Sequence, residues 1–208
     1  MRVVKEAEIR KSEILDTAEK LFASKGFENT STTDILNEVG IARGTLYYHF
    51  KSKEDILSAV IDRQVSYMAA KAKAIAENKE IPALQRIILA VSAIKADGEL
   101  GKEITEQMHK PQNTLMHQKT QDSLFSKINP IISGVLKEAI DAGMCSTDYP
   151  DEVIDTIMVY SSYAFDHIPE ITSDEHNRKI NGFIYNIERL FWVEQGSLRE
   201  LILPLFSR

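Results

Sequence analysis

The chain has 208 residues, enough for one large domain or two small ones built on a continuous core. Hydrophobic residues make up 43% and charged residues 27%, which excludes a disordered chain, and nine Gly with six Pro are too few for a many-turn β fold. The net charge of −6 gives no bulk basic character, and residues 1–60 hold nine Lys/Arg against ten Asp/Glu, so affinity for nucleic acid would have to come from local placement of charge.

In chain order, the first predicted helix spans Lys11–Phe27, with Ile14, Ala18, Leu21 and Phe22 on one face and Gly26 after Lys25 as its stop. The run Thr30-Ser31-Thr32-Thr33 supplies several N-cap candidates for a short second helix, Asp34–Val39, which Gly40 ends. Only Ile41, Ala42 and Arg43 separate it from a third helix, Gly44–Phe50. Ser52 caps a fourth helix that starts at Lys53 and runs to about Glu77, with Asp55 placed to answer the cap. Further helices are expected near 82–96, 99–109, 112–143, 150–167, 174–195 and 198–206, with Asn129-Pro130 kinking or breaking the long one. No segment alternates cleanly enough for a strand, so the fold class is all-α.

Several functions are excluded by what is missing. Cys145 is the single cysteine, so there is neither an internal disulfide nor a Cys cluster for metal. The start Met1–Glu6 lacks an apolar signal core, and the stretch Ile87–Ile94 is far short of a membrane span, which needs about 20 residues. The expectation is a soluble, cytoplasmic protein with no membrane partner. No paired His/Glu motif, Gly-rich phosphate loop or G-x-S-x-G elbow is present, so no enzyme, cofactor or metal site is expected.

Two short helices joined by a tight turn describe a helix-turn-helix, whose second helix lies in the major groove. In Arg43-Gly44-Thr45-Leu46-Tyr47-Tyr48-His49-Phe50, Leu46 and Phe50 anchor inward and leave Arg43, Thr45, Tyr48 and His49 pointing elsewhere. Residues 14–57 resemble the DNA-binding signature of the TetR (tetracycline-repressor-like) family. The match runs through Ile14, Ala18, Leu21-Phe22, Gly26-Phe27, Thr32-Thr33, Ile35 and Val39-Gly40-Ile41, then Gly44–Lys53 and Leu57. Asn37-Glu38 departs from the Ala-rich stretch of many relatives.

That resemblance implies a helix-turn-helix DNA-binding domain at 1–53, of three helices, joined by a long helix to an effector-binding and dimerisation domain at 54–208. Thr32 would cap the second helix and touch phosphate, with Thr33 near a base or the backbone. Arg43 and Thr45 would reach base edges beside Gly44, and Tyr48 would contact a base. Tyr47 and His49 would meet phosphates, as would Lys53 at the start of the fourth helix. Arg2 and Lys5 are candidates for a minor-groove arm. The acidic residues Glu6, Glu13, Asp16 and Glu19 would face away from DNA, leaving Arg43, Lys51 and Lys53 to supply most of the electrostatics. So few cations per subunit require a homodimer, and two-fold symmetry matches a palindromic operator.

The last two long helices are the expected dimer interface, through Val153, Ile157, Tyr160, Ile184, Tyr185, Phe191 and Trp192. The middle helices would enclose an effector pocket, for which Met108, His109, Met116, His117, Phe125, Tyr160, Tyr163 and His167 are candidates. A small-molecule effector would favour a state whose reading heads are too far apart for adjacent major grooves, giving release of a repressed operator. The rival from another class is a TetR-fold sensor or interaction protein that has lost sequence-specific DNA binding.

Overall fold

The computed structural model describes residues 2–94, 113–166 and 173–206, and every regular element among them is helical. In chain order these are α1 (Arg2–Lys25), α2 (Thr32–Val39), α3 (Arg43–His49), α4 (Lys53–Glu77), α5 (Ala83–Ser92), α6 (Thr114–Lys127), α7 (Asn129–Asp141), α8 (Pro150–Ser161), α9 (Ser173–Leu190) and α10 (Arg199–Ile202). A π-helical turn, Ser162–Asp166, extends α8, and a 3-10 turn, Leu203–Phe206, extends α10. The expected helix at 99–109 lies outside the described residues. No helix among the described residues is long and apolar enough to cross a membrane.

The chain divides into two compact units, Met1–Ser66 with Ala96–Ser123 and Tyr67–Lys95 with Leu124–Arg208. In the first, Ile14, Ala18 and Phe22 of α1 are buried with Phe27, Ile35, Leu46, Phe50, Ile56 and Leu57. The Phe22 and Phe27 rings meet edge to face at 5.5 Å. Asn113, itself fully buried, accepts from the Phe27 N–H at 3.1 Å and so fixes the chain where it leaves α1. α1 begins at Arg2 instead of Lys11, so the expected arm residues Arg2 and Lys5 belong to a helix. Two carboxylates of the acidic face of α1 are engaged within this unit. Glu19 is only 5% exposed and takes Arg63 Nη2 at 2.5 Å and Gln64 Nε2, while Arg63 Nη1 reaches Asp16 at 2.6 Å. These two carboxylates clamp α1 to α4 because a buried charge is tolerated only when paired.

In the second unit α7 packs against α5 and α8, α8 against α9, and α10 against α5. The predicted 112–143 helix is two helices, since Pro130 lacks an N–H and sits without penalty in the first turn of α7. Pro150 opens α8 in the same way. Arg86 of α5 is only 4% exposed and reaches three groups. Nε donates to the Ile81 carbonyl at 3.0 Å, Nη1 to the Ala76 carbonyl, and Nη2 to Glu138 of α7 at 2.8 Å. Lys79 bonds the other oxygen of Glu138, and both cations hold that carboxyl below its ordinary range, Lys79 the more strongly. Ile180, Phe183, Ile184, Ile187 and Phe191 form the buried stripe of α9. Phe183 stacks on Tyr160 at 5.6 Å and meets Phe165 at 5.4 Å, and Phe165 meets Phe206 at 4.5 Å.

Candidate nucleic-acid interface

The chain turns from α2 to α3 through features visible in its residue types. Ser31 is the N-cap of α2. Its Oγ accepts from the Asp34 N–H at 3.1 Å, and Asp34 returns the favour by accepting from the Ser31 N–H at 2.8 Å. The Ser31 hydroxyl, which donates to Asp34 Oδ2 at 2.7 Å, and then the Ser31 N–H hold the Asp34 carboxyl below its ordinary value. The cap is therefore Ser31 and not Thr32, which is the first helical residue. Gly40 sits at φ 73, the left-handed conformation that closes α2, and its N–H donates to Leu36 at 2.9 Å. Three residues later α3 begins. A second side-chain cap starts α4, with Ser52 accepting from the Asp55 N–H at 3.1 Å, while Asp55 accepts from the N–H of the preceding residue, Lys51, at 2.9 Å.

Leu46 and Phe50 are buried, so they fix which side of α3 faces out. Arg43, Gly44, Tyr47 and Tyr48 are exposed, Tyr48 at 79%, while Thr45 and His49 are half-buried. Hydrogen bonds from Thr32 and then Arg43 lower the Tyr47 phenol below its usual range. The Arg43 guanidinium also lies 5.5 Å from the centre of the Tyr47 ring. Tyr48 and His49 meet edge to face at 5.0 Å. Thr32 of α2 and Arg43 and Tyr47 of α3 are thus joined, while Thr33 stays exposed. Lys53 is engaged inside the protein: Nζ donates to the Phe27 carbonyl at 2.8 Å and lies 4.2 Å from that ring. It closes the end of α1 whatever else it meets. Ser31 was one of the four N-cap candidates of the run Thr30–Thr33, and its Ser-x-x-Asp spacing to Asp34 singles it out.

The remaining candidates scatter. Met108, His109 and His167 lie outside the described residues. Met116 is buried and His117 half-buried on α6 in the first unit, whereas Phe125, half-buried, and the exposed Tyr160 and Tyr163 belong to the second. Two clefts open in the second unit, of about 810 Å³ and 330 Å³, and of the effector candidates Tyr160 alone lines one, the smaller. Of the interface candidates, Val153, Ile184 and Phe191 are buried in the unit's own core and Ile157 is half-buried. Tyr160, Tyr185 and Trp192 are exposed. Among the described residues no cluster of His, Cys, Asp or Glu could hold a metal ion.

A short capped helix, a glycine-closed turn and a second helix with buried anchors and an exposed polar face define a helix-turn-helix. Comparison with known proteins agrees. The family model for bacterial regulatory proteins of the tetR family matches residues 14–60. The chain is 28% identical over 135 residues to the fatty acid metabolism regulator protein of Bacillus subtilis (strain 168), spanning 63% of this chain and 68% of that one. It is 39% identical over 74 residues to an HTH-type transcriptional regulator of Staphylococcus aureus (strain USA300), covering 36% of this chain and 40% of the relative. The fold matches RolR, solved in complex with resorcinol, with a TM-score of 0.67 at 16% identity over 96% of this chain and 95% of RolR. Residues 14–60 thus match the helix-turn-helix domain of the TetR family of bacterial regulatory proteins.

Proposed function

We propose that this protein is a homodimeric repressor that reads a palindromic operator through α3 and is released by a small-molecule effector, residues 1–53 binding DNA and 54–208 serving effector binding and dimerisation. The observation that carries the reading is the outward face of α3. Arg43 and Tyr48 are exposed while Leu46 and Phe50 hold the helix from behind. Arg43 is suited to guanine O6 and N7 in the major groove, and Tyr48 to a thymine methyl. Tyr47, already bonded to Thr32 and Arg43, meets backbone phosphate together with Thr33 and His49. The third proton of the Lys53 ammonium remains for phosphate beyond its two bonds to the Phe27 and Glu28 carbonyls.

For the dimer, α8 and α9 leave Val159, Tyr160, Tyr163 and Tyr185 exposed, an unusually apolar surface for helices that already bury their other faces. A Cβ built on Gly182 of α9 meets nothing within 4 Å, so a partner helix can approach closely there. That RolR was solved with resorcinol supports a small organic effector for the second unit. Coupling of about 1–3 kcal/mol between effector and DNA changes affinity about 5- to 150-fold, enough to vacate an operator.

The test is binding of the wild type and the Arg43→Ala/Tyr48→Ala double variant to a selected operator and to unrelated duplex. The proposal expects the variant to fold and to lose its preference for the operator. Equal preference in both proteins refutes the assignment of α3 as the reading helix.

A further inference from the structure

The larger cleft of the second unit, about 810 Å³, lies apart from every residue assigned above to DNA, and none of the effector candidates lines it. Its volume is in the range of small-molecule sites. Its walls are tied to one another. The Ser146 N–H donates to the Phe191 carbonyl at 2.8 Å, joining the loop after α7 to the end of α9. The carboxylate of Glu188, 1% exposed, accepts from the Gly196 N–H at 2.8 Å and the Leu198 N–H at 3.0 Å and so fixes the C-terminal segment. α10 in turn packs on α5.

The lining has a definite chemistry. Leu84, Ile140, Met144 and Leu201 supply apolar surface, and Trp192 and Glu194 line it as well. Trp192 is 81% exposed and takes φ 51, the left-handed position just past a helix that usually falls to glycine. Its N–H donates to Arg189 and that of Val193 to Glu188, so the conformation is held by the helix end and presents a large ring to solvent. Glu194 is the one acidic residue of the lining, and no Lys, Arg or His is among the lining residues. Cys145 also lines the cleft, and burial pushes its thiol up, which keeps it neutral.

We propose that this cleft binds a hydrophobic organic cation, its apolar body on Leu84, Ile140, Met144 and Leu201 and its charge shared between the Trp192 ring and the Glu194 carboxylate. An indole face attracts a cation more strongly than any other side-chain ring, and a lone carboxylate on an apolar wall selects the sign of the ligand. The site stands independently of operator binding.

Trp192 is the single tryptophan of the chain, so its fluorescence reports the cleft directly. The full-length protein is titrated with tetraphenylphosphonium and, in parallel, with tetraphenylborate, which has the same shape and the opposite charge. A saturable change in emission with the cation and none with the anion is expected. Glu194→Gln, an exposed and isosteric change, weakens the cation about threefold to fivefold, and Glu194→Lys weakens it about tenfold or more. Equal binding of the two ions, no binding of either, or an unaltered Glu194→Gln variant overturns the proposal. So does an emission shift on diluting the ligand-free protein, which means that a second copy of the chain covers the cleft.

Discussion

Replacing Arg86 by Ala tests the packing of the second unit at its most connected polar side chain. Arg86 carries three bonds: to Ala76 in the last turn of α4, to Ile81 in the following loop, and to Glu138 of α7. Two of the acceptors are backbone carbonyls, one in the last turn of α4 and one in the loop after it, and both lose this donor when the guanidinium goes. At about 1 kcal/mol for each of the three bonds, the unit loses about 3 kcal/mol, the lower end of what removing one partner of a buried pair costs. Such a loss lowers the midpoint of thermal unfolding by about 6–12 °C for a chain of this size. Arg86→Lys keeps the charge and loses the planar fork, so it recovers less than half. Trp192 lies in the same unit, so its fluorescence follows this transition while far-ultraviolet circular dichroism follows the whole chain. A loss below about 1 kcal/mol in urea melts refutes the assignment of Arg86 as the residue joining α4, α5 and α7.

Two further outcomes follow from the same geometry. Gly40→Ala forces a Cβ into a left-handed turn at φ 73, where space is open but the backbone is strained, and destabilises the first unit by about 1 kcal/mol; hydrogen exchange of α2 amides reads it. Glu138 has its folded-state value below its unfolded one, so its contribution is present above the ordinary carboxylate value and disappears as pH falls through the lower, folded value. Glu138→Gln removes that part of the acid dependence, which melts at stepped pH reveal as a flatter profile. With its side chain 43% exposed the effect is small.

The helix-turn-helix was legible because it is local. Cap residues, a glycine stop and a four-residue spacing of Leu46 and Phe50 act within one or two turns, and the Ser52 cap with Asp55 lay where spacing put it. The one-residue error at Ser31 arose because four adjacent hydroxyl or cap-forming residues compete, and the reciprocal bond to Asp34 decides among them. Long-range partners left no such trace. Arg63 with Glu19 spans 44 residues, and Asn113 with Phe27 spans 86. In α9 an apolar stripe and scattered aromatics were both visible, but periodicity alone does not say which face meets the chain's own core. The stripe through Ile184 and Phe191 turned inward, while Tyr185 and Trp192 stayed out.

Sequence-specific reading of DNA by α3 is open to a direct experiment, selection of bound sequences from a random duplex pool at moderate salt with the purified full-length protein. The expected result is an enriched palindrome whose half-sites lie about one helical turn apart, or slightly more, as two copies of α3 require. A folded protein that enriches no sequence contradicts it.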